Sequence, residues 1–300
     1  MVWRNRQKLC HLRQYPGRLR CAIPVRDQAM ESPMPNTPHS LTVGRIRLTV
    51  FDDGHFDLPL EYFSGLSEDM ASRLSAPLTI GANLWLIEAG SRRVLVDTGS
   101  GAALQDMFPA TGQALAQIAG EEITDIVLTH MHADHLGGLM GGGFAGAKIH
   151  VSKPEWAFWT QKGLADAVPE DQRPMIEMVQ AVAASFADRV VLHEGAADLG
   201  EGLSLKPLPG HTPGHIGLRL QSGGEELLIA GDALISGAVH FAEPDVAYAL
   251  DSDAAAAAAT RRALLAEAAQ SGTPIAATHL PFPGLGRVEA EGDAWRFVPL

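Results

Sequence analysis

The 300-residue chain is 46% hydrophobic and 19% charged, a composition typical of a globular protein with one large core or two ordinary ones. Its formal net charge of −12 argues against nucleic acid as a partner, because phosphate binding needs clustered Lys and Arg. No apolar run approaches the roughly 18 to 20 residues of a membrane-spanning helix, which excludes an integral membrane protein and predicts no membrane partner.

The first 40 residues differ from the rest of the chain in charge. They contain seven basic and two acidic side chains, a net charge of +5, so the remainder carries −17. Both cysteines lie in this segment, which rules out a disulfide framework in the rest of the chain. The segment lacks the apolar stretch of about 7 to 15 residues found in secretory signals, so we expect a cytoplasmic protein. We predict a disordered or non-native extension over residues 1–40, with translation starting at Met30 or Met34, and a hydrolase-like domain over residues 41–300.

From Leu41 onward, short β-rich runs alternate with helical stretches. Strands are predicted at residues 42–51, 83–88, 93–96, 123–129, 148–151, 190–193, 203–208, 216–221, 226–229, 275–278 and 295–298. Helices are predicted around residues 102–108, 112–119, 153–160, 174–187 and 253–269, the last with Ser252 as its N-cap and Gly272 past its end. This alternation, without an internal repeat or a long linker, indicates an α/β fold in which helices cover sheets in one domain.

The densest polar cluster in the chain follows the predicted strand at residues 123–129 and reads His-Met-His-Ala-Asp-His. In an extended segment alternate residues project to the same side, so His130, His132 and Asp134 are expected to converge on one point. His135 then faces a neighbouring point. Imidazole and carboxylate ligands at this density suit Zn²⁺ or a similar ion, whereas Ca²⁺ and Mg²⁺ prefer oxygen ligands. An unpaired buried Asp beside three histidines would be costly to desolvate without a cation, so the cluster predicts a metal site.

Three more polar residues end predicted strands further along the chain, namely His211, Asp232 and His279. Strand ends are common positions for functional sites on sheet scaffolds. Each residue alone is more typical of a hydrogen-bonded turn than of a ligand. Together with the cluster, they complete two coordination shells.

The pattern H-x-H-x-D-H at residues 130–135, followed by these three residues, resembles the metallo-β-lactamase superfamily. Asp97-Thr98-Gly99 matches the first motif of that superfamily. Within it, the resemblance is greatest to methyl parathion hydrolase and related lactonases, and it runs from about Leu41 to Leu300. It implies a single-domain αβ/βα sandwich and a homodimer.

The resemblance also implies a role for each candidate ligand. One metal ion is held by His130, His132 and His211, a second by Asp134, His135 and His279, and both by the bridging Asp232. Two divalent ions, with zinc favoured and Mn, Fe or Co as alternatives, would leave a slightly cationic site and a bridging hydroxide at neutral pH. The implied mechanism is attack by that hydroxide on a carbonyl or phosphoryl centre, after which Asp134 passes a proton to the leaving group.

Departures from the family pattern narrow the expected reaction. True metallo-β-lactamases generally lack the bridging carboxylate, so Asp232 argues against antibiotic hydrolysis. The best-known homoserine-lactone lactonases place a tyrosine shortly after this Asp, where this chain has Ala233-Leu234-Ile235. A lactonase with this sequence would therefore orient its carbonyl by other means. Contact with substrate is predicted for Trp159, Trp156 and Phe282.

The sequence thus predicts a dinuclear metal hydrolase of small neutral esters, with lactones or aryl esters as substrates. Hydrolysis of organophosphate triesters, as by methyl parathion hydrolase, is the alternative, because the same hydroxide could attack phosphorus. A non-catalytic metal-binding regulatory protein is a third possibility, which the complete set of seven ligand positions disfavours.

Overall fold

Residues 36–140 and 142–300 are described by a computed structural model, in which two seven-stranded sheets face each other and helices cover both outer surfaces. The first sheet contains β1 (His39–Val43), β2 (Ile46–Leu58), β4 (Leu78–Ala89), β5 (Arg92–Val96), β6 (Asp125–Val127), β7 (Lys148–Ser152) and β8 (Val190–His193). The second contains β9 (Ala197–Gly200), β10 (Leu203–Pro207), β11 (Ile216–Ser222), β12 (Glu225–Ile229), β14 (Ile275–Ala276), β15 (Leu285–Glu291) and β16 (Ala294–Pro299). A two-stranded sheet pairs β3 (Phe63–Ser64) with β13 (Ala247–Tyr248).

The helices in the described residues lie between these strands. They are α1 (Glu68–Arg73), α2 (Ala114–Ile118), α3 (Ala133–Leu136), α4 (Lys153–Trp159), α5 (Leu164–Ala167), α6 (Arg173–Ser185) and α7 (Ala254–Ser271). None of these helices is long and apolar enough to cross a membrane.

Parallel pairing in both sheets positions the strand ends. The first sheet has the order β1-β2-β4-β5-β6-β7-β8, and its last four strands run parallel. The second has the order β16-β15-β14-β12-β11-β10-β9, in which β12 and β14 are parallel neighbours. The carboxyl ends of parallel strands meet at one edge of a sheet, where sites of α/β proteins are commonly built. The arrangement confirms the predicted single-domain αβ/βα sandwich.

Three apolar layers hold the sandwich together. The central layer packs the inner faces of the two sheets and includes Val94 and Leu218, both 0% exposed. A second layer lies between the first sheet and α2, α4, α5 and α6. A third lies between the second sheet and α7, where Leu265 is fully buried. The sheets are therefore buried on both faces, as in other α/β proteins with covered parallel strands.

Backbone hydrogen bonds join the two sheets at the edge where these strands end. The Ile216 amide at the start of β11 donates to the Thr129 carbonyl at 2.9 Å, just past β6. Two amides of β4, those of Gly81 and Asn83, donate to the carbonyls of His279 and Thr278 at 3.1 and 3.0 Å. The segments that carry the predicted ligands are thus fixed to one another before any side chain is considered.

Several predicted elements need correction. The single strand predicted at residues 42–51 is a hairpin, because Gly44 adopts a φ of +56° and allows a tight turn between β1 and β2. Residues 102–108 contain only a 3₁₀ turn over Ala102–Leu104. Strands β9 and β15 were not predicted. Helix α7 is capped by Asp253 rather than Ser252, since the Asp253 side chain accepts the Ala256 amide at 3.0 Å.

Most of the predicted N-terminal extension, residues 1–35, lies outside the described residues. Strand β1 begins at His39, so the last two residues of the predicted extension pair with β2.

The central layer generates a first prediction. Leu218→Ala should lower the free energy of unfolding by about 2 to 5 kcal/mol, because the cavity lies between two sheets whose backbones are fixed to each other. Leu192→Ala is the matched control, since this β8 side chain is 44% exposed and should change stability by less than about 0.5 kcal/mol. Urea unfolding followed by circular dichroism measures both changes, and equal effects of the two substitutions would contradict this account of the core.

Candidate metal centre

The segment after β6 changes conformation between its second and third candidate ligands. His130 and His132 lie in the non-helical stretch that follows β6, and helix α3 begins at Ala133. Asp134 and His135 therefore project from a helical turn. The alternation rule that placed His130, His132 and Asp134 on one point is wrong, because it assumes an extended backbone throughout.

The structure brings all seven predicted ligand side chains together in three overlapping groups. Within each group, the candidate ligand atoms lie within 4.8 Å of one another. The groups are His130, His132 and His211; His130, His135 and Asp232; and Asp134, His135 and His279. The first and third are the two sets that the family resemblance implied.

Asp232 lies between these two sets. It sits on a 3₁₀ turn after β12 and is 3% exposed. Its Oδ2 atom lies 3.4 Å from His211 Nε2 and 3.0 Å from His279 Nε2. Its Oδ1 atom faces His135 Nε2 at 3.3 Å. One carboxylate thus contacts histidines of both sets.

The donor atoms fit divalent cations. His132 Nδ1 lies 2.9 Å from His130 Nε2 and 3.0 Å from His211 Nε2, so three imidazole nitrogens converge. His135 Nε2 and Asp232 Oδ1 are buried, and neither has a hydrogen-bond partner among the described residues. Buried polar atoms rarely stay unpaired, and imidazole with carboxylate is a donor set that zinc prefers.

In three of the histidines, the Nδ1 atom, which faces away from the cluster, forms a hydrogen bond to a residue outside it. His135 Nδ1 donates to Asp97 Oδ2 at 2.8 Å, and His211 Nδ1 donates to Asp251 Oδ1 at 3.0 Å. His279 Nδ1 donates to the Gly81 carbonyl at 2.8 Å. Such contacts fix the tautomer with a free Nε2 lone pair and orient the ring toward a metal ion.

Asp97, from the predicted Asp-Thr-Gly motif, anchors this side of the centre. It directly follows β5, is completely buried and has a φ of +59°, a conformation that few non-glycine residues adopt. Its carboxylate also accepts the Thr129 amide at 2.7 Å and the Thr129 hydroxyl at 2.8 Å. Burial raises the pKa of the Asp97 carboxyl, while His135 and Thr129 act in the opposite direction. The strained backbone of Asp97 thus occurs at the position where its side chain links the end of β5 to the residue after β6 and to the ligand His135.

The charges at the centre suit metal binding. Burial lowers the pKa values of His130 and His132 well below the usual range, so both rings are neutral at pH 7. Burial opposes ionisation of Asp232, but His279, His135 and His130 outweigh it and hold the pKa of that carboxyl well below its usual range. Burial opposes protonation of His135 and His279, but Asp232 outweighs it and raises the pKa values of both rings, so a metal ion would replace their protons.

Glu155 is a functional residue that the sequence reasoning missed. It lies on α4, is 1% exposed and accepts the amides of Met131 and Gly214 at 2.9 and 3.0 Å. These amides belong to the His130–His132 segment and to the turn after His211, so one carboxylate ties two ligand segments together. A single carboxylate beside the aromatic residues of α4 is the signal in the sequence, but it does not indicate which segments the carboxylate contacts. A Cβ atom on Gly214 would approach the Glu155 amide to 2.1 Å, which explains the glycine.

His215 and Asn83 form hydrogen bonds to the backbone of the segments that carry Asp232 and His279. His215 accepts the Asp232 amide at Nε2 and donates from Nδ1 to the Leu208 carbonyl, at 3.0 and 3.1 Å. Burial lowers the pKa of His215 to about 3, so it remains neutral. The buried Asn83 amide group donates to the carbonyls of Thr278 and Leu280 on either side of His279, at 2.9 and 2.8 Å.

The three predicted substrate contacts occupy different environments. Trp159 is 4% exposed, lies edge-on to His132 with ring centres 5.4 Å apart, and donates from Nε1 to Glu155. Trp156 packs against Phe186 in the outer layer, and Phe282 packs against the central layer. Contact between these three residues and a substrate stays a prediction.

Two other aromatic residues lie against ligand histidines. Phe56 on β2 is edge-on to His279 with ring centres 5.7 Å apart. Tyr248 on β13 stacks on His211 with ring centres 6.1 Å apart and an interplanar angle of 21°. Neither was predicted from the sequence, because each reaches the centre only through tertiary folding.

Comparison with known proteins agrees with this geometry. Residues 79–279 match the family model for the metallo-beta-lactamase superfamily. The structure is similar to that of AidC, a dizinc quorum-quenching lactonase in complex with the product N-hexanoyl-L-homoserine, with a TM-score of 0.79 and 26% identity over 88% of this chain and 97% of AidC. The uncharacterized protein YobT of Bacillus subtilis is 30% identical over 182 residues, 58% of this chain and 73% of YobT. The acyl-coenzyme A thioesterase MBLAC2 of Homo sapiens is 28% identical over 171 residues, 53% of this chain and 60% of that protein.

The contact between Asp97 and His135 generates a second prediction. Asp97→Asn should weaken zinc binding by about 10- to 100-fold, because the Asn side chain no longer fixes the His135 tautomer as a carboxylate does. Asp125→Asn is the matched control, since Asp125 is also buried and accepts His150 Nε2 at 2.9 Å away from the centre. Competition with a chromophoric chelator measures the affinity. Equal zinc affinities of the two variants would contradict the role of Asp97.

Proposed function

Because the chain belongs to the metallo-beta-lactamase superfamily and is a metal-dependent hydrolase of that superfamily, we propose that it binds two divalent ions and hydrolyses small neutral esters, with lactones or aryl esters as its substrates. The single observation that carries the proposal is the pair of ligand groups that contact Asp232 from both sides. His130, His132 and His211 would hold one ion, and Asp134, His135 and His279 the other. We favour zinc, with Mn, Fe and Co as alternatives that the same donor set accepts.

When bound, divalent ions supply a water of near-neutral pKa and polarise the carbonyl of the substrate. The residues of the chain provide orientation and a proton path. The Asp134 side chain is 23% exposed, whereas those of His135 and Asp232 are 0% and 4% exposed. Asp134 therefore lies on the side from which a substrate can approach. Its Oδ2 faces the Nε2 atoms of His135 and His279, both at 3.6 Å, which leaves Oδ1 to hold a proton and pass it to the leaving oxygen.

The walls around the ligands support a neutral substrate. Phe56, Trp159 and Tyr248 each lie against a different ligand histidine. Aromatic surfaces of this kind stabilise apolar acyl or aryl groups by burial and offer no charge to neutralise a phosphate. Similarity to the lactonase AidC supports the same substrate class.

Two other classes of substrate could be hydrolysed by the same attack of water on an electrophilic centre. Organophosphate triesters are neutral and present a phosphoryl oxygen in place of a carbonyl. Thioesters are suggested by similarity to the human acyl-coenzyme A thioesterase. A non-catalytic metal-binding protein would keep the ligands without turnover. A substrate comparison separates these functions.

A third prediction concerns metal content. The protein loaded with zinc should hold two ions per chain by plasma mass spectrometry, and chelation should abolish hydrolysis. Asp232→Asn should lose about one ion and reduce kcat/KM by at least about 100-fold, because it removes the carboxylate shared by both groups. Asp245→Asn is the control, since this exposed carboxylate pairs only with Arg262 among the ion pairs of the described residues. No more than one ion in the loaded wild-type protein, or turnover that survives chelation, would refute the dinuclear proposal.

A fourth prediction concerns the substrate. We expect kcat/KM to be higher for an N-acyl-homoserine lactone or dihydrocoumarin than for methyl parathion or an acyl-coenzyme A thioester. A preference for methyl parathion by several orders of magnitude would make the phosphotriester the substrate class. Failure to hydrolyse any of the four by a protein that binds two ions would favour the regulatory alternative.

A further inference from the structure

Tyr248 lies at the metal centre, although it is not one of the candidate metal ligands. Its ring stacks on His211 at an interplanar angle of 21°, and the residue is 7% exposed. Phe63 packs on it with ring centres 5.6 Å apart, and β13 pairs Tyr248 with Phe63 through the backbone. The ring therefore has a defined position over the histidine of one ligand group.

Asp251 fixes the tyrosine and the histidine relative to each other. Its Oδ1 accepts His211 Nδ1 at 3.0 Å, and its Oδ2 accepts the Tyr248 amide at 3.0 Å. Arg261, which is completely buried, stands 3.7 Å from the same Oδ2 atom. One carboxylate thus holds the ligand ring and the backbone of its stacking partner, so the two rings move as a unit.

The phenol of Tyr248 lies at the metal centre, against the ring of the ligand His211. Within residues 36–140 and 142–300, Tyr248 forms a hydrogen bond to a side chain through its amide, to Asp251, and none through its hydroxyl. Burial raises the pKa of the Tyr248 phenol well above its usual range, and Asp134 and Asp232 act in the same direction, so the phenol keeps its proton. Asp134 is also the ligand residue on the approachable side of the centre. The phenol of Tyr248 therefore belongs to the same centre as the carboxylate that an ester can approach.

We infer that Tyr248 is a catalytic residue whose phenol O–H donates a hydrogen bond to the carbonyl oxygen of the ester as that oxygen becomes negatively charged. No bond to the phenol is made or broken, and the proton stays on the tyrosine. This inference rests on the proposed ester hydrolysis. It supplies the missing orienting group, because the three residues after Asp232 are Ala233, Leu234 and Ile235 and carry no donor side chain.

A purely structural role for Tyr248 would depend on its ring and not on its hydroxyl. Stacking on His211 and packing on Phe63 use the ring alone. Tyr248→Phe therefore preserves both contacts and removes only the oxygen. A structural tyrosine predicts an unchanged enzyme, whereas a donor to the reacting oxygen predicts a slower one.

The test compares the zinc-loaded wild-type protein with Tyr248→Phe, and uses Tyr62→Phe as the matched control. Tyr62 is the neighbouring tyrosine, with its ring centre 6.2 Å from that of Tyr248. We expect Tyr248→Phe to lower kcat for a lactone or aryl ester by about 100- to 1,000-fold with little change in KM, as when one donor to an oxyanion is removed. Zinc content should match the wild type in both variants, the melting temperature should match it in Tyr248→Phe, and Tyr62→Phe should retain the wild-type kcat.

A leaving-group series of aryl acetates identifies the oxygen that accepts the hydrogen bond. The loss in Tyr248→Phe should be the same across the series, because the carbonyl oxygen is common to all members. A loss that grows with the pKa of the leaving phenol would place the donor on the leaving oxygen and overturn the assignment. Unchanged kcat, or a loss accompanied by loss of zinc, would also overturn it.

Binding of a phosphonate analogue keeps the inference separate from the proposed function. Such an analogue mimics the tetrahedral anion, and calorimetry should show binding weakened about tenfold or more in Tyr248→Phe. If the wild-type protein hydrolyses no ester, the proposed function fails, and the phosphonate result alone decides the role of Tyr248. Equal affinities of wild type and variant would refute that role even in an active esterase.

Discussion

The buried carboxylate of Asp232 is the interaction on which the rest of the centre depends. Its two oxygens lie between 3.0 and 3.8 Å from imidazole nitrogens of four histidines, which come from segments attached to both sheets. Burying a carboxylate at 3% exposure is unfavourable unless positive charge or hydrogen bonds surround it. Without an ion, His135 and His279 supply that charge, because burial opposes their protonation but Asp232 outweighs it and raises the pKa values of both rings. Bound cations would replace those protons, so the charge of Asp232 fits the proposed pair of ions.

The scaffold holds each ligand from a different direction. Asp97 reaches His135 from the end of β5, Asp251 reaches His211 from the segment before α7, and the Gly81 carbonyl reaches His279 from β4. Helix α7 contributes through Arg261, which donates to the carbonyls of Ala233, Pro244 and Val246 behind the Asp232 turn. Because these supports belong to strands and a long helix, the ligands are positioned before any ion binds, as effective metal sites require.

The ligand residues could be predicted from the sequence because their signals are local. His130 and Asp232 each follow an apolar strand, and a dense cluster of imidazoles and carboxylates has few other uses. Local rules failed where the backbone changed state, since α3 begins at Ala133 and moves Asp134 away from the point expected for an extended segment. Glu155 and Tyr248 could not be predicted as parts of the centre. Glu155 acts by accepting amides from two distant segments, and Tyr248 meets His211 only after β13 pairs with β3.

The aromatic residues around the centre come from three separate elements of the fold. Phe56 comes from β2, Trp159 from α4 and Tyr248 from β13, and each ring lies against a different ligand histidine. None of the three is itself a candidate ligand, and the supports of the histidines are formed by other residues. A substitution in one wall therefore changes the shape of the space above the centre while Asp97, Asp251 and Gly81 continue to fix the ligands. In the proposed hydrolase, the walls would select the substrate, whereas the shared carboxylate and its histidines would hold the ions that act on it.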